Sequence, residues 1–359
     1  MISLSSPPKP SPETAQVRVH ALPHEGRCVA RVSDKAVFIE GALPGDTVAF
    51  RYTARKRHFD EGVVERILEP SPARVTPACR HYALGGGCCL QHLAPGEQIR
   101  LKEAQLLEDL ARIGGVRPDA VLPAVTAAQW GYRRRARLGV RYVIKKGRLL
   151  VGFRERQGRY LADLERCEVL HPAVGLRLQA VRLLLQNLHG YEHIPQIEVA
   201  AGDTRAALVV RHLRPLDEHD LAALRGFGQW YSLSIYLQPG GVESLRPLWP
   251  AAPRLSYSLP AHGVEIEFQP TDFVQVNGAV NRRLVDTVID LLDAGPGERA
   301  LDLFCGVGNF TLPMARRFDH VLGVEGDAGL VQRAADNARH NGIANAAHSL
   351  ALLGTAGLD

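Results

Sequence analysis

The sequence lacks long apolar runs, and this absence excludes two classes of protein. No stretch approaches the roughly 18 uncharged apolar residues that a membrane-spanning helix requires. The opening MISLSSPPKPSPETA also lacks the apolar core of a secretory signal peptide. A chain of 359 residues with 46% hydrophobic and 23% charged residues is not disordered, collagen-like or a coiled coil. We therefore expect a cytoplasmic globular protein of two or three domains.

Cysteine is also scarce, with six residues in the whole chain, and no CxxC pair is present. A disulfide framework is not expected at this density in the cytoplasm. Three of the six, Cys79, Cys88 and Cys89, nevertheless fall in one glycine-rich loop, and Cys167 stands far from them. Thiolates gathered in this way suit an iron–sulfur cluster or zinc, and His81 and His92 could also bind zinc. The alternative is one or two ordinary buried thiols.

The net charge of +5 is small but unevenly distributed. From Gly131 to Arg166 there are 12 Arg and Lys against three acids, so this segment carries +9 and the rest of the chain about −4. Such a surface favours binding of a polyanion, because each neutralised phosphate releases counterions. A solvated charged face is the alternative.

Three regions follow one another along the chain. Residues 1–14 are predicted to be a disordered tail, and five short apolar runs between Gln16 and Glu69 predict a small antiparallel β-barrel. The run from Arg51 to Phe59 interleaves cations with aromatic residues, as single-strand binders do, although a protected edge strand would look similar. Residues 71–265 predict an α+β middle domain, which includes a helix from Pro95 to Ile113 with Leu106 among its apolar residues.

The last region, residues 266–359, has the pattern of a doubly wound α/β sheet. A helix over Asn277–Asp293 precedes a strand over Arg299–Phe304, a glycine loop, a helix over Phe310–Arg317, a strand over His320–Val324 and a helix over Asp327–His340. Alternation of this kind predicts parallel strands with a ligand at their carboxyl ends.

The glycine loop and one acid predict the ligand. Gly306 and Gly308 permit close backbone approach at a helix N-terminus, and Glu325 follows 17 residues after Gly308, where a carboxylate can accept two ribose hydroxyls. A dinucleotide fingerprint would need glycine at position 311, which is Thr311. We therefore expect S-adenosylmethionine rather than NAD.

Several motifs resemble the RNA 5-methyluridine methyltransferases. The most specific is the run from Leu301 to Pro313, LDLFCGVGNFTLP, preceded by Phe273–Asn277, FVQVN. The loop from Cys79 to His92 is similar to the loop that binds an iron–sulfur cluster in that family. The segment Cys167–Pro172 is similar to the one that supplies the last cysteine ligand of the cluster. The N-terminal barrel is similar to a TRAM domain. The resemblance covers about residues 15–345 and is strongest to members that modify bacterial 23S rRNA.

The resemblance implies a set of site residues. Contacts to S-adenosylmethionine are expected from Gln275, Asp302, Phe304, Gly306, Gly308, Asn309 and Glu325. Ligands of a four-iron four-sulfur cluster are expected from Cys79, Cys88 and Cys167, with Cys89 as a replacement because the family's further cysteine is here Gly85. The cation–aromatic run and the basic segment, rather than the resemblance, predict RNA contacts from Arg51, Arg55, Lys56, Arg57, Tyr132, Arg133, Arg135 and Arg137. Trp130 is a further candidate.

Catalysis departs from the family pattern. The family adds a cysteine thiolate to carbon 6 of uracil to activate carbon 5, and places that cysteine and the base well beyond the second helix of the sheet. After Cys167 this sequence has only Cys305, in the glycine turn. We therefore expect no catalytic residue in this sequence and no activity. We also expect the chain to be truncated or frame-shifted, with the family pattern lost near residue 346. Such a sheet would leave apolar strand faces exposed.

Two alternatives remain at this stage. A tRNA uridine methyltransferase is disfavoured because such enzymes generally lack the barrel and the cluster loop. A non-catalytic RNA-binding remnant would keep those features without the nucleophile. The expected partner is 23S rRNA, with no membrane and no obligate protein partner.

Overall fold

The computed structural model describes residues 13–22, 26–156, 158–295 and 297–351. The chain divides into two compact units, residues 1–124 and 125–359. The domain boundaries predicted at residues 70/71 and 265/266 stay predictions. Most of the predicted tail lies outside the described residues, but Thr14 already belongs to the first strand, so the prediction of disorder was wrong there.

The first unit contains the five predicted strands. They are β1 (Thr14–Arg18), β2 (Arg27–Val32), β3 (Lys35–Glu40), β4 (Thr47–Arg55) and β5 (Phe59–Glu69). The strand order is β1-β4-β5-β3-β2, and one pairing, β3 with β5, is parallel. The prediction of a wholly antiparallel arrangement was therefore wrong. Closure into a barrel stays a prediction, since β1 and β2 are the two edges of this order.

Alternate residues of these strands form the core of the first unit. Val37, Ile39, Val48 and Phe50 are completely buried, while their strand neighbours are at least partly exposed. The glycine at position 62 lies against the Phe50 ring, where an added Cβ would be 2.5 Å from a ring carbon. The predicted helix follows as α1 (Pro95–Arg112). Among its apolar residues, Leu106 is 58% exposed, and no described residue of α1 is buried.

The second unit begins with a six-stranded mixed sheet. Its elements are β6 (Arg135–Val143), β7 (Arg148–Gly152), α2 (Pro172–Gly175), α3 (Leu178–Gln186), β8 (Gln196–Ala201), β9 (Ala206–Arg211), α4 (Glu218–Tyr231), β10 (Leu233–Gln238) and β11 (Arg246–Trp249). Short 3-10 turns occupy Ile144–Lys146, Tyr191–His193, Val242–Ser244 and Pro260–His262. The strand order is β11-β10-β9-β8-β6-β7. The predicted mixture of helices and strands is present.

The two faces of this sheet contact different partners. Alternate residues such as Leu208 and Ile235 pack with α3 and α4, where Val181 and Leu224 are buried. The opposite face of β8, β9 and β10 packs in a second apolar cluster with the last part of the chain. Only β9 and β10 are parallel, and α4 is the crossover between them.

The last part of the second unit contains the predicted parallel sheet. Its elements are β12 (Ser256–Leu259), β13 (Val264–Glu267), α5 (Gly278–Leu292), β14 (Arg299–Leu303), α6 (Thr311–Met314), β15 (His320–Glu325), α7 (Ala328–His340) and β16 (Ala346–Leu350). The strands β14, β15 and β16 pair in parallel in that order. Asn277 and Asp327 cap α5 and α7 by accepting backbone N–H groups with their side chains. The helix α6 is shorter than predicted.

One prediction about the end of this sheet was wrong. The strand pattern was expected to be lost near residue 346, but β16 begins there and pairs with β15 from Val321↔Ala346 onward. On β14, Leu301 and Leu303 are 58% and 49% exposed. Among the described helices, none combines the length and apolar composition that crossing a bilayer needs.

Candidate functional site

The loop after β14 adopts an uncommon backbone conformation. Phe304, Gly306 and Gly308 have φ angles of 61°, 57° and 96°, and Phe304 is 69% exposed. A left-handed conformation is costly for a bulky side chain such as Phe304 and persists only where the surroundings impose it. The loop thus returns the chain sharply at the carboxyl end of β14, where parallel sheets bind ligands.

The carboxylate of Glu325 lies against this loop. Its Oε2 accepts the backbone N–H of Gly306 at 3.0 Å, and its Oε1 accepts those of Gly326 at 2.7 Å and Asp327 at 3.2 Å. These three donors fix the side chain at the end of β15. Oε1 accepts two of them, whereas Oε2 accepts one and keeps a lone pair for a further donor. The structure therefore brings together the two features from which the cofactor was predicted.

The glycines of the site differ in the space around them. A Cβ added to Gly306 would meet no heavy atom within 4 Å, so this position is open. A Cβ at Gly308 would contact the Leu312 side chain at 3.0 Å, and one at Gly323 would lie 3.0 Å from the Cys305 sulfur. Gly323, on β15, lets the loop approach the sheet closely. Sequence reasoning missed it, because a single glycine within a strand is a weak signal.

Asp302 contacts the chain itself in this structure. Its Oδ2 accepts the hydroxyl of Thr311 at 2.6 Å, which ties β14 to the first residue of α6. Burial raises the pKa of Asp302, with a smaller contribution from the charge of Glu325. Its predicted role as a cofactor contact stays a prediction.

The side chain of Asn309 makes hydrogen bonds within the chain. Its Oδ1 accepts hydrogen bonds from Tyr257 Oη and Asn281 Nδ2, both at 2.8 Å, and its Nδ2 donates to Asn281 Oδ1 at 3.0 Å. The Asn309 side chain therefore fixes the end of the glycine loop to α5 and β12, and its predicted contact to the cofactor stays a prediction. Burial raises the pKa of Tyr257, so its hydroxyl stays protonated as a donor.

A second amide holds the middle of the same loop. The Nδ2 of Asn337, on α7, donates to the carbonyl oxygens of Val307 and Glu267, each at 3.0 Å, and Asn337 is only 2% exposed. Sequence reasoning missed Tyr257, Asn281 and Asn337, because none stands in the loop motif. Gln275 is exposed in the segment before α5.

The cysteines predicted to bind a cluster fall in both units. In the first unit, the Tyr82 hydroxyl donates to the Cys89 carbonyl at 2.6 Å, and the Cys79 N–H donates to Gln91 Oε1 at 3.3 Å. These bonds fold the loop back on itself. A Cβ at Gly85 would contact only the His81 carbonyl, at 3.6 Å. Cys167 belongs to the second unit.

The cations predicted on β4 and its following turn are partly paired with acids. Arg51 lies 3.2 Å from Glu65, and Lys56 lies 2.8 Å from Glu61. Arg55 stacks over the Tyr52 ring at 3.5 Å and contacts two carboxylates. Arg57 is exposed at the turn and makes no ion pair with the described residues.

The predicted cations of the second unit divide into two groups. Arg135 is half-buried, its guanidinium donates to the Asp272 carbonyl, and its Nη2 lies 3.8 Å from Glu198. Arg133 donates to the Arg135 carbonyl at 3.0 Å. Both side chains therefore have partners within the chain, and their predicted contacts to RNA stay predictions. The side chain of Arg137 is 68% exposed although it pairs with Glu198.

The basic segment runs beside the segment that precedes α5. The backbone N–H of Arg134 donates to the Val276 carbonyl at 2.8 Å, and Arg133 forms a β-bridge with Asn277. Trp130 is 41% exposed and Tyr132 is half-buried in the same stretch. Beyond it, Lys145 and Lys146 are exposed at the turn between β6 and β7.

Two cysteines outside the predicted cluster are protected. Burial raises the pKa of Cys28 to about 12 and that of Cys305 to about 11. The Cys305 side chain also faces the strand residue Gly323 closely. Neither thiol is prepared to act as a thiolate nucleophile near neutral pH.

Two family descriptions match separate parts of the chain. Residues 255–352 match the family described as tRNA (Uracil-5-)-methyltransferase. Residues 13–64 match the TRAM domain. The first match extends through β16, beyond the point where the family pattern was expected to end.

Individual relatives match over nearly the whole chain. The 23S rRNA (uracil(1939)-C(5))-methyltransferase RlmD of Nitrosococcus oceani is 52% identical over 342 residues, which are 95% of this chain and 76% of that protein. The protein of the same name from Xylella fastidiosa is 52% identical over 334 residues, 92% of this chain and 75% of that protein. The chain thus spans about three quarters of the length of these relatives.

A solved structure shares the fold. The tRNA (uracil-54, C5)-methyltransferase of Pyrococcus abyssi, in complex with S-adenosyl-L-homocysteine, superimposes with a TM-score of 0.70. The match covers 95% of this chain and 81% of that one at 20% sequence identity.

Proposed function

Because this chain belongs to the RlmD family of 23S rRNA (uracil-C5)-methyltransferases, we propose that it binds S-adenosylmethionine and serves methylation of carbon 5 of a 23S rRNA uridine. The observation that carries the cofactor part is the contact between Glu325 and the Gly306 N–H at the carboxyl end of β14. The RNA part of the proposal rests on the substrate in the names of the RlmD relatives, which is 23S rRNA.

The residues of the loop suit an adenosyl ligand. Glu325 would accept a ribose hydroxyl with Oε2, because this oxygen accepts only one backbone N–H and lies at the carboxyl end of β15. The exposed ring of Phe304 and the exposed amide of Gln275 would contact the rest of S-adenosylmethionine. Gly306 has no side chain, so it would leave space for this ligand. The sulfonium supplies an activated methyl group, so the protein's task is to bind and aim it.

The RNA would lie against the exposed cations. In the second unit, Arg137, Lys145 and Lys146 are exposed on β6 and the turn after it, and Trp130 and Tyr132 precede them. The target base would be flipped towards the segment before α5, since the basic segment pairs with that segment. In the first unit, Arg57 and its paired neighbours on β4 would contact phosphates.

Two binding measurements test this proposal. Equilibrium dialysis with S-adenosylmethionine should give saturable binding of one molecule per chain. A fragment of unmodified 23S rRNA should bind more tightly than tRNA of the same length at one salt concentration. Preference for tRNA would support the alternative tRNA methyltransferase, and RNA binding without cofactor binding would support a non-catalytic RNA-binding remnant.

Methyl transfer is a separate question. The family mechanism needs a thiolate, and the buried Cys28 and Cys305 do not provide one. We therefore propose that neither of these two thiols is the nucleophile. A Cys305→Ser variant that binds S-adenosylmethionine normally but loses transfer of radiolabelled methyl groups to unmodified 23S rRNA would contradict this proposal.

An iron–sulfur cluster is a further part of the proposal. Cys79, Cys88 and Cys167 would hold it with Cys89, and soft thiolates suit iron. Three of these four cysteines lie in one loop of the first unit, which the hydrogen bonds of Tyr82 and Gln91 fold back on itself. Iron and sulfide quantification of anaerobically purified protein tests it, and Cys89→Ser should lower the iron content only if Cys89 is a ligand. A cytoplasmic location stays a prediction.

A further inference from the structure

Four side chains on one surface of the second unit converge away from the cofactor loop. They belong to His189, in the connection between α3 and β8, and to Asp217, His219 and Asp220, at the start of α4. Each offers one nitrogen or oxygen atom, and these four atoms all lie within 4.8 Å of one another. We propose that they bind one divalent transition-metal ion, such as Zn²⁺.

The two carboxylates are held in place before any ion binds. Asp220 is 1% exposed, and its oxygens accept the backbone N–H groups of His189 at 2.7 Å and Gly190 at 2.8 Å. Asp217 caps α4 by accepting the N–H of Asp220 at 2.9 Å. These backbone contacts fix both carboxylates, so binding an ion costs little ordering of the acids.

The two imidazoles complete the set. The rings of His189 and His219 are stacked, with centroids 4.2 Å apart and planes at 12°. His189 Nδ1 lies 2.8 Å from Asp217 Oδ2, and His219 Nδ1 lies 3.3 Å from Asp220 Oδ1. Ligands about 2.0–2.1 Å from a tetrahedral ion are roughly 3.3 Å apart, so these spacings require only small side-chain rotations.

The donor types select the metal. Imidazole nitrogen with carboxylate oxygen suits zinc, cobalt, nickel and copper, whereas calcium and magnesium prefer oxygen ligands alone. The N-terminus of α4 carries a partial positive charge of about half a unit, which repels a cation. The two negative carboxylates outweigh this repulsion. The side chains of His189 and His219 are 66% and 55% exposed, so an ion can reach them from solvent.

The bound ion would join two segments that are distant in sequence. It would link the connection before β8 to the first turn of α4, 28 residues further along the chain. An ion that binds only the folded form stabilises it. We therefore expect Zn²⁺ to raise the melting temperature of the full-length protein, independently of S-adenosylmethionine and RNA.

The test is a titration of the full-length protein with Zn²⁺ alone, in competition with a chromophoric chelator. His189→Ala and His219→Ala should each weaken binding at this site by at least about tenfold. His340→Ala is the matched control, because His340 pairs with Glu265 at 3.0 Å but has no second histidine in its cluster. Equal zinc affinity in the control and the cluster variants would overturn the proposal.

Cobalt distinguishes this site from the cysteines of the chain. Co²⁺ bound by nitrogen and oxygen gives weak visible bands, whereas thiolate ligands add an intense near-ultraviolet band. The visible bands should disappear in His189→Ala and remain in Cys79→Ser. Asp217→Asn is the second variant if His189→Ala melts early without metal, and bands that persist in both cluster variants would contradict the assignment.

Discussion

The carboxylate of Glu325, at the end of β15, accepts the backbone N–H of Gly306, in the loop after β14, at 3.0 Å. This contact joins two adjacent parallel strands at their carboxyl ends. The acid and the glycine are 19 residues apart in sequence and lie at one mouth of the sheet. The geometry provides an acceptor for hydroxyl groups beside an open backbone position, which suits a nucleoside.

The first prediction concerns the charge of Glu325. Glu325→Gln keeps an oxygen to accept the Gly306 N–H but removes the negative charge that would bind ribose hydroxyls. We expect the dissociation constant for S-adenosylmethionine to increase about ten- to hundredfold, as for loss of a charge-assisted hydrogen bond. Equilibrium dialysis measures the change. Glu298→Gln is the control, since Glu298 also accepts a backbone N–H, from Gly295 at 2.7 Å, before β14 begins. Equal weakening in both variants would contradict the assignment.

The second prediction concerns the hydroxyl of Tyr257. Tyr257→Phe deletes its hydrogen bond to Asn309 and loosens the end of the glycine loop. We expect a loss of about 1 kcal/mol in the free energy of unfolding, together with a several-fold weaker affinity for S-adenosylmethionine. Calorimetry and dialysis measure the two effects. Tyr236→Phe removes another buried phenol of the same apolar cluster and should leave cofactor affinity unchanged. Unchanged affinity in Tyr257→Phe would show that the loop does not depend on this bond.

The third prediction concerns the exposed lysines after β6. The double variant Lys145→Ala/Lys146→Ala should weaken RNA binding to a similar extent for different sequences, because lysines contact phosphates rather than bases. The slope of log K against log salt should fall by about 1.4–1.8 if two phosphate contacts are lost. Filter binding at several salt concentrations measures it. Arg225→Ala/Arg254→Ala removes two charges that are already paired with glutamates and should change the slope little.

The fourth prediction concerns a buried ion pair in the first unit. Asp46 is fully buried, and its Oδ2 lies 2.5 Å from Arg74 Nη2. Burial raises the pKa of Asp46, but hydrogen bonds from Arg74 and from the N–H groups of Ser71 and Leu43 outweigh this and lower it below 3.8. Asp46→Asn leaves Arg74 without its charge partner, so we expect the first unit to lose about 3 kcal/mol of stability at pH 7.

The pH dependence of this loss has a definite sign. Asp46 is charged in both states above the unfolded pKa of 3.8, where its full contribution is present. As the pH falls below that value towards the lower folded pKa, the unfolded state gains a proton first and the contribution decreases. Denaturant unfolding from pH 7 to pH 3 should therefore show the wild type approaching Asp46→Asn. Asp34 is an exposed turn residue of the same unit with positive φ. The control Asp34→Asn should leave the free energy of unfolding unchanged from pH 7 to pH 3.

The sequence by itself determined the elements of the last region and the two ends of the candidate site. Hydrophobic periodicity, capping residues and the glycine loop predicted α5, β14, β15 and α7 to within a few residues, because these signals are local. Glu325 and Gly306 could be paired in advance, since parallel strands bring their carboxyl ends to the same edge.

Tertiary structure alone decided which side chains hold the site together. Tyr257, Asn281 and Asn337 lie on three different elements and meet the loop only after the chain has folded. For the same reason the side chain of Asn309, which belongs to the loop motif, is held by Asn281, and the half-buried Arg135 donates to the Asp272 carbonyl. A buried polar group must find a partner, and long-range packing determines which partner is within reach.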